Sequence, residues 1–160
     1  MNPIDLIFKE VNFSKSNDYR KLDSIFRDWF SNPKTLNFVS PKTVYPFHMK
    51  DWVKKNYSER DDDVISITAI RKDWVIGYGS ISIGDNAANL FHLIVDKKHR
   101  CKGIGSRIVN ELEKIGIKRN RNTFTLQVLK KNQLAIDFYK KSGYEKVRKS
   151  MKSIKMVKTI

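Results

Sequence analysis

The chain has 160 residues, of which 40% are hydrophobic, enough for one packed domain expected to run from residue 1 to 160. Its longest apolar runs are far shorter than the roughly 20 residues of a membrane-spanning helix, and Asp5 falls where a signal peptide would be apolar, so a cytoplasmic location is expected. A single cysteine, Cys101, excludes an internal disulfide, and three scattered histidines offer no ligand spacing, so no metal is expected either.

Residues 5 to 13 read as a strand. Ser16 or Asn17 is then placed to cap a helix in which Tyr19, Leu22, Phe26, Trp29 and Phe30 recur at three- and four-residue steps. Pro33 is expected to end it, and Pro33, Pro41 and Pro46 mark residues 32 to 47 as an irregular loop. Met49, Trp52, Val53 and Tyr57 outline a second, shorter helix. Beyond Glu59 to Asp63 the period drops to two. Residues 64–70 and 74–83 read as a hairpin, followed by a strand at 88–95. A helix from about Gly103 to Ile117, a strand at 123–129 and a helix at 133–141 come next, with Gly143 placed as a left-handed stop. The tail from Tyr144 alternates loosely, as two closing strands would. The fold class is thus α/β (α+β): a mixed central sheet of about seven strands flanked by helices.

The stretch HRCKGIGSRI, residues 99–108, carries the chemistry. A strand, a loop of glycines and cations and a helix start bring several N-H groups to one point, where the helix dipole adds positive potential. Gly103 and Gly105 leave room for an anion, and Arg100 and Lys102 supply charge, so the loop reads either as a phosphate seat or as a plain glycine turn. It has neither the spacing of a P-loop nor the third glycine of a dinucleotide fingerprint.

The six residues Arg100-Cys101-Lys102-Gly103-Ile104-Gly105 resemble the acetyl-coenzyme A motif of the GNAT family of N-acetyltransferases, Arg/Gln-x-x-Gly-x-Gly/Ala. LFHLIVDKKHRCKGIG is similar to that family's fourth strand and pyrophosphate loop, and LQVLKKNQLAIDFYKKSGYE to its fifth strand and following helix. The resemblance covers residues 88 to 146. It implies that strands four and five splay, and that main-chain groups of Leu93 and Val95 hold the pantetheine arm. It places the Leu93 N-H near the thioester oxygen, where a fixed backbone donor stabilises the oxyanion. The pyrophosphate of acetyl-CoA would lie on the amides of Lys102, Gly103, Ile104, Gly105 and Ser106 with Arg100 beside them.

Asn132 matches an asparagine that touches the cofactor in the family. Tyr139 matches a tyrosine that protonates the departing thiolate, the alternative being a packed aromatic. Asn89 and Gln127 stand where some family members place a glutamate base, and neither amide serves as a base at neutral pH. His92 is the nearest titratable group, a candidate base or else a satisfied strand histidine, and water in the cleft could also take the proton. Cys101 lacks a paired base and is not expected to be a nucleophile. Trp29 and Trp52 fall on apolar stripes, as core or as the wall of an acceptor cleft.

The resemblance implies transfer of acetyl to a primary amine, either a protein or peptide N-terminus or a small molecule. The net charge of +15 disfavours polycationic acceptors unless Glu59 to Asp63 or Asp85 lines the cleft. A non-catalytic acyl-CoA sensor, or a basic module docking nucleic acid, is the alternative. The cations form no Arg-rich or aromatic-interleaved block, which speaks against nucleic acid.

Overall fold

The computed structural model describes residues 5–160; the first four residues of the expected single domain lie outside these. Among the described residues seven strands form one sheet in the order β1-β2-β3-β4-β5-β7-β6. They are β1 Ile7–Val11, β2 Asp63–Arg71, β3 Trp74–Ile83, β4 Ala88–Val95, β5 Thr123–Leu129, β6 Glu145–Lys149 and β7 Ser153–Thr159. β4 and β5 are parallel and the other neighbours antiparallel. The inner strand β3 is buried on both faces, which is why its sequence is nearly free of charge.

The two faces of the sheet support separate cores. On one, α4 (Ile104–Lys118) lays Ile104, Ile108, Val109 and Leu112 against Ile67, Ile81, Leu90, Phe124 and Leu126. These helix positions recur at steps of three and four, so one stripe faces the strands. α5 (Gln133–Lys141) adds Ile136 to the same core. On the other face, α1 (Ser16–Trp29), α2 (Pro33–Val39) and α3 (Met49–Val53) close over Tyr78 and Ile94 with an aromatic cluster of Phe26, Trp29, Phe30 and Trp52.

α2 corrects the expectation of an irregular loop over residues 32 to 47. Pro33 stands at the first turn, where its missing N-H would have had no partner and its fixed φ suits a helix. The Asn32 side chain caps it, accepting from Lys34 N at 2.9 Å and Thr35 N at 3.3 Å. The proline that closes α1 thus also opens α2; only residues 40–48 are irregular.

α3 runs on into a π-helical turn, Lys54–Ser58, closed by Glu59 N donating to Lys54 O at 2.9 Å. In an α-helix residues five apart point roughly 140° apart. The wider π turn brings Tyr57 round to the side of Trp52, with ring centroids 5.3 Å apart.

Candidate active site

Strands β4 and β5 pair at only two positions, Ala88 with Phe124 and Asn89 with Thr125, where the Thr125 hydroxyl donates to Asn89 Oδ1 at 2.9 Å. β5 continues beside β7 as far as Leu129, so the two parallel strands part beyond Asn89. In open sheets ligands enter at such partings, beyond the carboxyl ends of parallel strands.

The same strand is bulged where it parts. Phe91 faces Ser80 and Ile94 faces Tyr78, so His92 and Leu93 share the place opposite Gly79. His92 takes the left-handed φ of 54° that a side chain rarely adopts. The extra residue changes the parity of the strand. Leu90 before it and Leu93 and Val95 after it all face the α4 core, while His92 and Ile94 face the opposite layer. Gly79 makes room for this: a Cβ there would lie 3.2 Å from Leu93 Cδ1 and 2.9 Å from Ile108 Cγ2.

Between β4 and α4 the chain turns through a short 3-10 segment, Lys97–His99, capped by the Asp96 carboxylate on Lys98 N at 3.0 Å. Cys101 (φ 62°) and Gly103 (φ 80°) are both left-handed, a curl that gathers successive amides on one concave side. The first bond of α4 runs from Arg107 N to Gly103 O at 3.2 Å, which leaves the amides ahead of it pointing out of the helix end. Ile104 is buried and anchors the loop, whereas Lys102 and Ser106 are exposed beside it. An added Cβ at Gly103 would meet nothing within 4 Å, so this amide cradle is open. Gly105 is needed for packing: a Cβ there would stand 3.3 Å from the Phe138 ring of α5. Arg100 folds back and donates through Nε to Val95 O at 3.0 Å, setting its guanidinium at the end of β4.

Asn132 is the N-cap of α5, accepting from Ala135 N at 3.3 Å. It also lines an open cleft of about 640 Å³ whose other wall is α2, with Lys34, Asn37 and Phe38 facing Lys131, Gln133 and Leu134. Tyr139 lies in the last turn of α5, held by ring contacts to Phe138 and Tyr144. Its position is fixed further by a Schellman ending around left-handed Gly143, in which Tyr144 N donates to Tyr139 O at 3.0 Å and Gly143 N to Lys140 O at 3.1 Å. Burial pushes the Tyr139 hydroxyl above the ordinary tyrosine pKa, and it makes no hydrogen bond among the described residues.

His92 is buried, with both ring nitrogens engaged. Nδ1 lies 2.8 Å from the Tyr57 hydroxyl and Nε2 3.2 Å from Ser40 Oγ, and the ring stacks on Trp52 at 4.9 Å. Burial, with the Arg60 charge adding to it, lowers its pKa to about 3, so the ring is neutral at physiological pH. Gln127 is exposed. Cys101 is exposed in the loop, Trp29 and Trp52 belong to the aromatic core, and among the described residues no three metal-ligating side chains come together.

Ser40, Tyr57 and Ser80 join His92 in a buried polar cluster that sequence reasoning missed, as it missed Glu113, a buried carboxylate bonded to the Tyr144 hydroxyl and Lys158 Nζ, each at 3.1 Å. A serine or tyrosine on an apolar stripe carries no mark of its partner 35 or 52 residues away. Glu113 was visible as one acid inside an otherwise apolar face of α4.

A parted strand pair, a bulged fourth strand and an open amide cradle define an acyl-CoA-binding fold, and comparison with known proteins names the family. The model of the Acetyltransferase (GNAT) family matches residues 19–144, and the chain belongs to that family. A spermidine N(1)-acetyltransferase of Thermoplasma acidophilum is 25% identical over 109 residues, 61% of this chain and 68% of that protein. The uncharacterised N-acetyltransferase YobR of Bacillus subtilis is 28% identical over 76 residues, 48% of this chain and 31% of its own length. The chain therefore spans about a third of YobR and about two thirds of the spermidine enzyme. Among solved structures, the PaiA N-acetyltransferase of Thermoplasma acidophilum, in complex with coenzyme A, superposes with a TM-score of 0.75 at 19% identity, covering 98% of this chain and 100% of that one. Among the described residues no helix is long and apolar enough to cross a membrane.

Proposed function

We propose that the protein transfers an acetyl group directly from acetyl-CoA to a primary amine. The observation that carries this reading is the parting of β4 from β5 at the His92–Leu93 bulge, beside the open amides at the start of α4. The pyrophosphate lies on the amides of Lys102, Gly103, Ile104, Gly105 and Ser106 next to Arg100, and the pantetheine arm follows the freed edge of β4 along Leu93 and Val95. Asn132 borders the same opening. The Leu93 N-H meets the acyl oxygen as it becomes an oxyanion; a donor fixed by the backbone needs no reorganisation there.

Collapse of the tetrahedral intermediate expels coenzyme A as a thiolate, and Tyr139 supplies the proton. Burial holds that proton firmly at neutral pH, and the same burial raises the basicity of a thiolate formed beside it. His92 was the candidate base. With both nitrogens engaged and a pKa of about 3 it offers little driving force for accepting a proton, so we assign amine deprotonation to water in the cleft and keep His92 as a neutral member of the site.

The cleft between α2 and α5 guides the choice of acceptor. Lys34 and Lys131 line it and no carboxylate does, which opposes a polycation such as the spermidine named for the Thermoplasma relative. Three of the four carboxylates of the acidic run are paired elsewhere, Glu59 with Lys54, Asp62 with Arg60 and Asp63 with Arg119, and the fourth, Asp61, does not line this cleft. A peptide N-terminus or a small amine of lower charge fits this lining better. The test is calorimetric titration with acetyl-CoA followed by thiol release over a panel of amines, short peptides and spermidine. Binding with turnover on a peptide or a small monoamine is expected. Tight binding without turnover on any member would refute transfer in favour of an acyl-CoA sensor, and spermidine as the preferred acceptor would refute the assignment of the cleft.

A further inference from the structure

The bulge that presents Leu93 is held from behind by a layer of buried polar side chains. Resting on the acetyl-transfer reading above, we propose that Ser40, Tyr57 and His92 form a clamp that fixes the β4 bulge and so aims the Leu93 N-H at the acyl oxygen. All three act as positioning residues, since none of them need touch the substrate.

A left-handed backbone at a histidine is strained and persists only where its surroundings over-determine it. Those surroundings are on the acceptor-side layer. The His92 ring is gripped at both nitrogens, by the Tyr57 hydroxyl (2.8 Å) and Ser40 Oγ (3.2 Å), and stacks on Trp52. Ser40 is itself fixed, accepting from the Trp52 indole N-H at 3.2 Å and lying 2.7 Å from Thr43 Oγ1. Tyr57 is fixed by the Tyr78 hydroxyl at 2.7 Å and by Ser80 Oγ at 2.9 Å.

One arrangement of protons satisfies every contact of the network. Trp52 Nε1-H and Thr43 donate to Ser40, Ser40 to His92 Nε2, and His92 Nδ1-H to Tyr57; Tyr57 and Ser66 donate to Ser80, Ser80 to Tyr78 and Tyr78 to Tyr57. In this arrangement the neutral ring carries its proton on Nδ1 and its Nε2 lone pair is taken by the Ser40 hydroxyl, so none is free for a substrate proton. A half-satisfied buried network would be loose, whereas a fully satisfied one selects a single geometry.

The geometry it selects matters because amides alternate between the two edges of a strand as side chains alternate between its faces. An extra residue at 92 reverses both alternations for Leu93 and beyond. A strand that relaxed out of the bulge would turn the Leu93 amide to the opposite edge and its side chain out of the α4 core. Ser40 closes α2, the wall of the acceptor cleft, and Tyr57 sits in the π turn, so the clamp ties the acceptor-side layer to the strand that carries the donor.

The test uses the full chain with Tyr57→Phe, His92→Asn, His92→Gly and Ser40→Ala. Acetyl-CoA affinity is measured by calorimetry, and the carbonyl band of bound acetyl-CoA, labelled with carbon-13 at the acetyl carbonyl, by difference infrared spectroscopy. In the wild type, binding should lower the band as the Leu93 N-H bonds the oxygen. In the variants affinity should stay within about threefold while the band returns toward its solution position. With any amine that turns over, kcat should fall about tenfold or more at unchanged KM for acetyl-CoA, because an oxyanion donor acts mainly in the transition state. The acid limb of the pH-rate profile should not move. His92→Gly separates strain from grip, since glycine accepts the backbone angle freely but holds nothing. If His92→Gly keeps the wild-type band and rate, the clamp is refuted. Disappearance of the acid limb in His92→Asn would refute it in favour of a base. A wild type that does not bind acetyl-CoA would overturn the acetyl-transfer reading as well. Should Tyr57→Phe fail to fold, Ser40→Ala loosens the same ring from its other nitrogen.

Discussion

Gly103 offers the sharpest separation of folding from function. Its φ of 80° strains any side chain, yet a Cβ there would touch nothing within 4 Å. Gly103→Ala should therefore lose only the backbone preference, about 1 kcal/mol once the stiffer unfolded chain is counted. For a chain of this length that is about 3 °C in Tm. The open space is where the pyrophosphate is assigned, so the added methyl should hold the phosphates off the amides and weaken acetyl-CoA about tenfold. Gly103→Glu adds a carboxylate; at about 4 Å and an effective dielectric of 20 its repulsion approaches 4 kcal/mol per charge pair, enough for a loss of more than about 100-fold. Gly103→Asn is the control, because asparagine tolerates a left-handed backbone: it should recover stability but not affinity. Calorimetric titration and thermal melts read the two quantities separately. Wild-type affinity in Gly103→Glu would show that the loop is a plain turn and that the phosphates lie elsewhere.

Tyr139→Phe keeps the ring contacts and removes only the hydroxyl, so acetyl-CoA affinity should hold while kcat falls about 100-fold or more; an unchanged kcat in steady-state assays would return Tyr139 to a packing role. His92 makes stability depend on pH. The folded ring is neutral with a pKa of about 3, while the unfolded ring takes a proton near 6.5. Its contribution is whole above pH 6.5 and is lost as pH falls toward 3, at up to about 1.4 kcal/mol per unit. Urea melts of wild type and His92→Asn should converge across that window; parallel curves would mean that His92 titrates normally. Glu113→Ala leaves Lys158 and the Tyr144 hydroxyl without their buried acceptor and should lower the urea-unfolding free energy by about 3 kcal/mol, a loss below about 1 kcal/mol refuting the tight pairing.

The strands and long helices were legible because their patterns are local. VISITAI and WVIGYGSISI switch the period from about four to two, and Ile104, Ile108 and Leu112 keep one face of α4 apolar. α2 was misjudged for a local reason as well: Pro33 stops the helix before it and starts the helix after it, and the Asn32 cap that decides the matter becomes informative only once a helix is assumed. The π turn after α3 was hidden more deeply. Val53 and Tyr57 are four apart, as an α-helix would have them, and only contact with Ser80 and His92 from other strands shows which way Tyr57 points.

The same division runs through the site. The proposed coenzyme A site is built largely from backbone, and backbone sites leave marks in the chain: a glycine where a left-handed turn is needed at 103, another where α5 approaches at 105, cations at 100 and 102. The cleft proposed for the acceptor is lined by side chains drawn from α2, the β5–α5 turn and the start of α5, whose residues have no spacing relation to one another. His92 bears the consequence. Position alone made it a candidate base, because it is the nearest titratable group on the strand and has a suitable unperturbed pKa. Burial, with the Arg60 charge adding to it, lowers its pKa, and residues 35 and 52 positions away engage both ring nitrogens, which fits the proposed positioning role better than that of a base. A residue's chemistry in such a site is set by the layer that packs on it, and that layer belongs to the part of the chain whose sequence is least constrained by the cofactor.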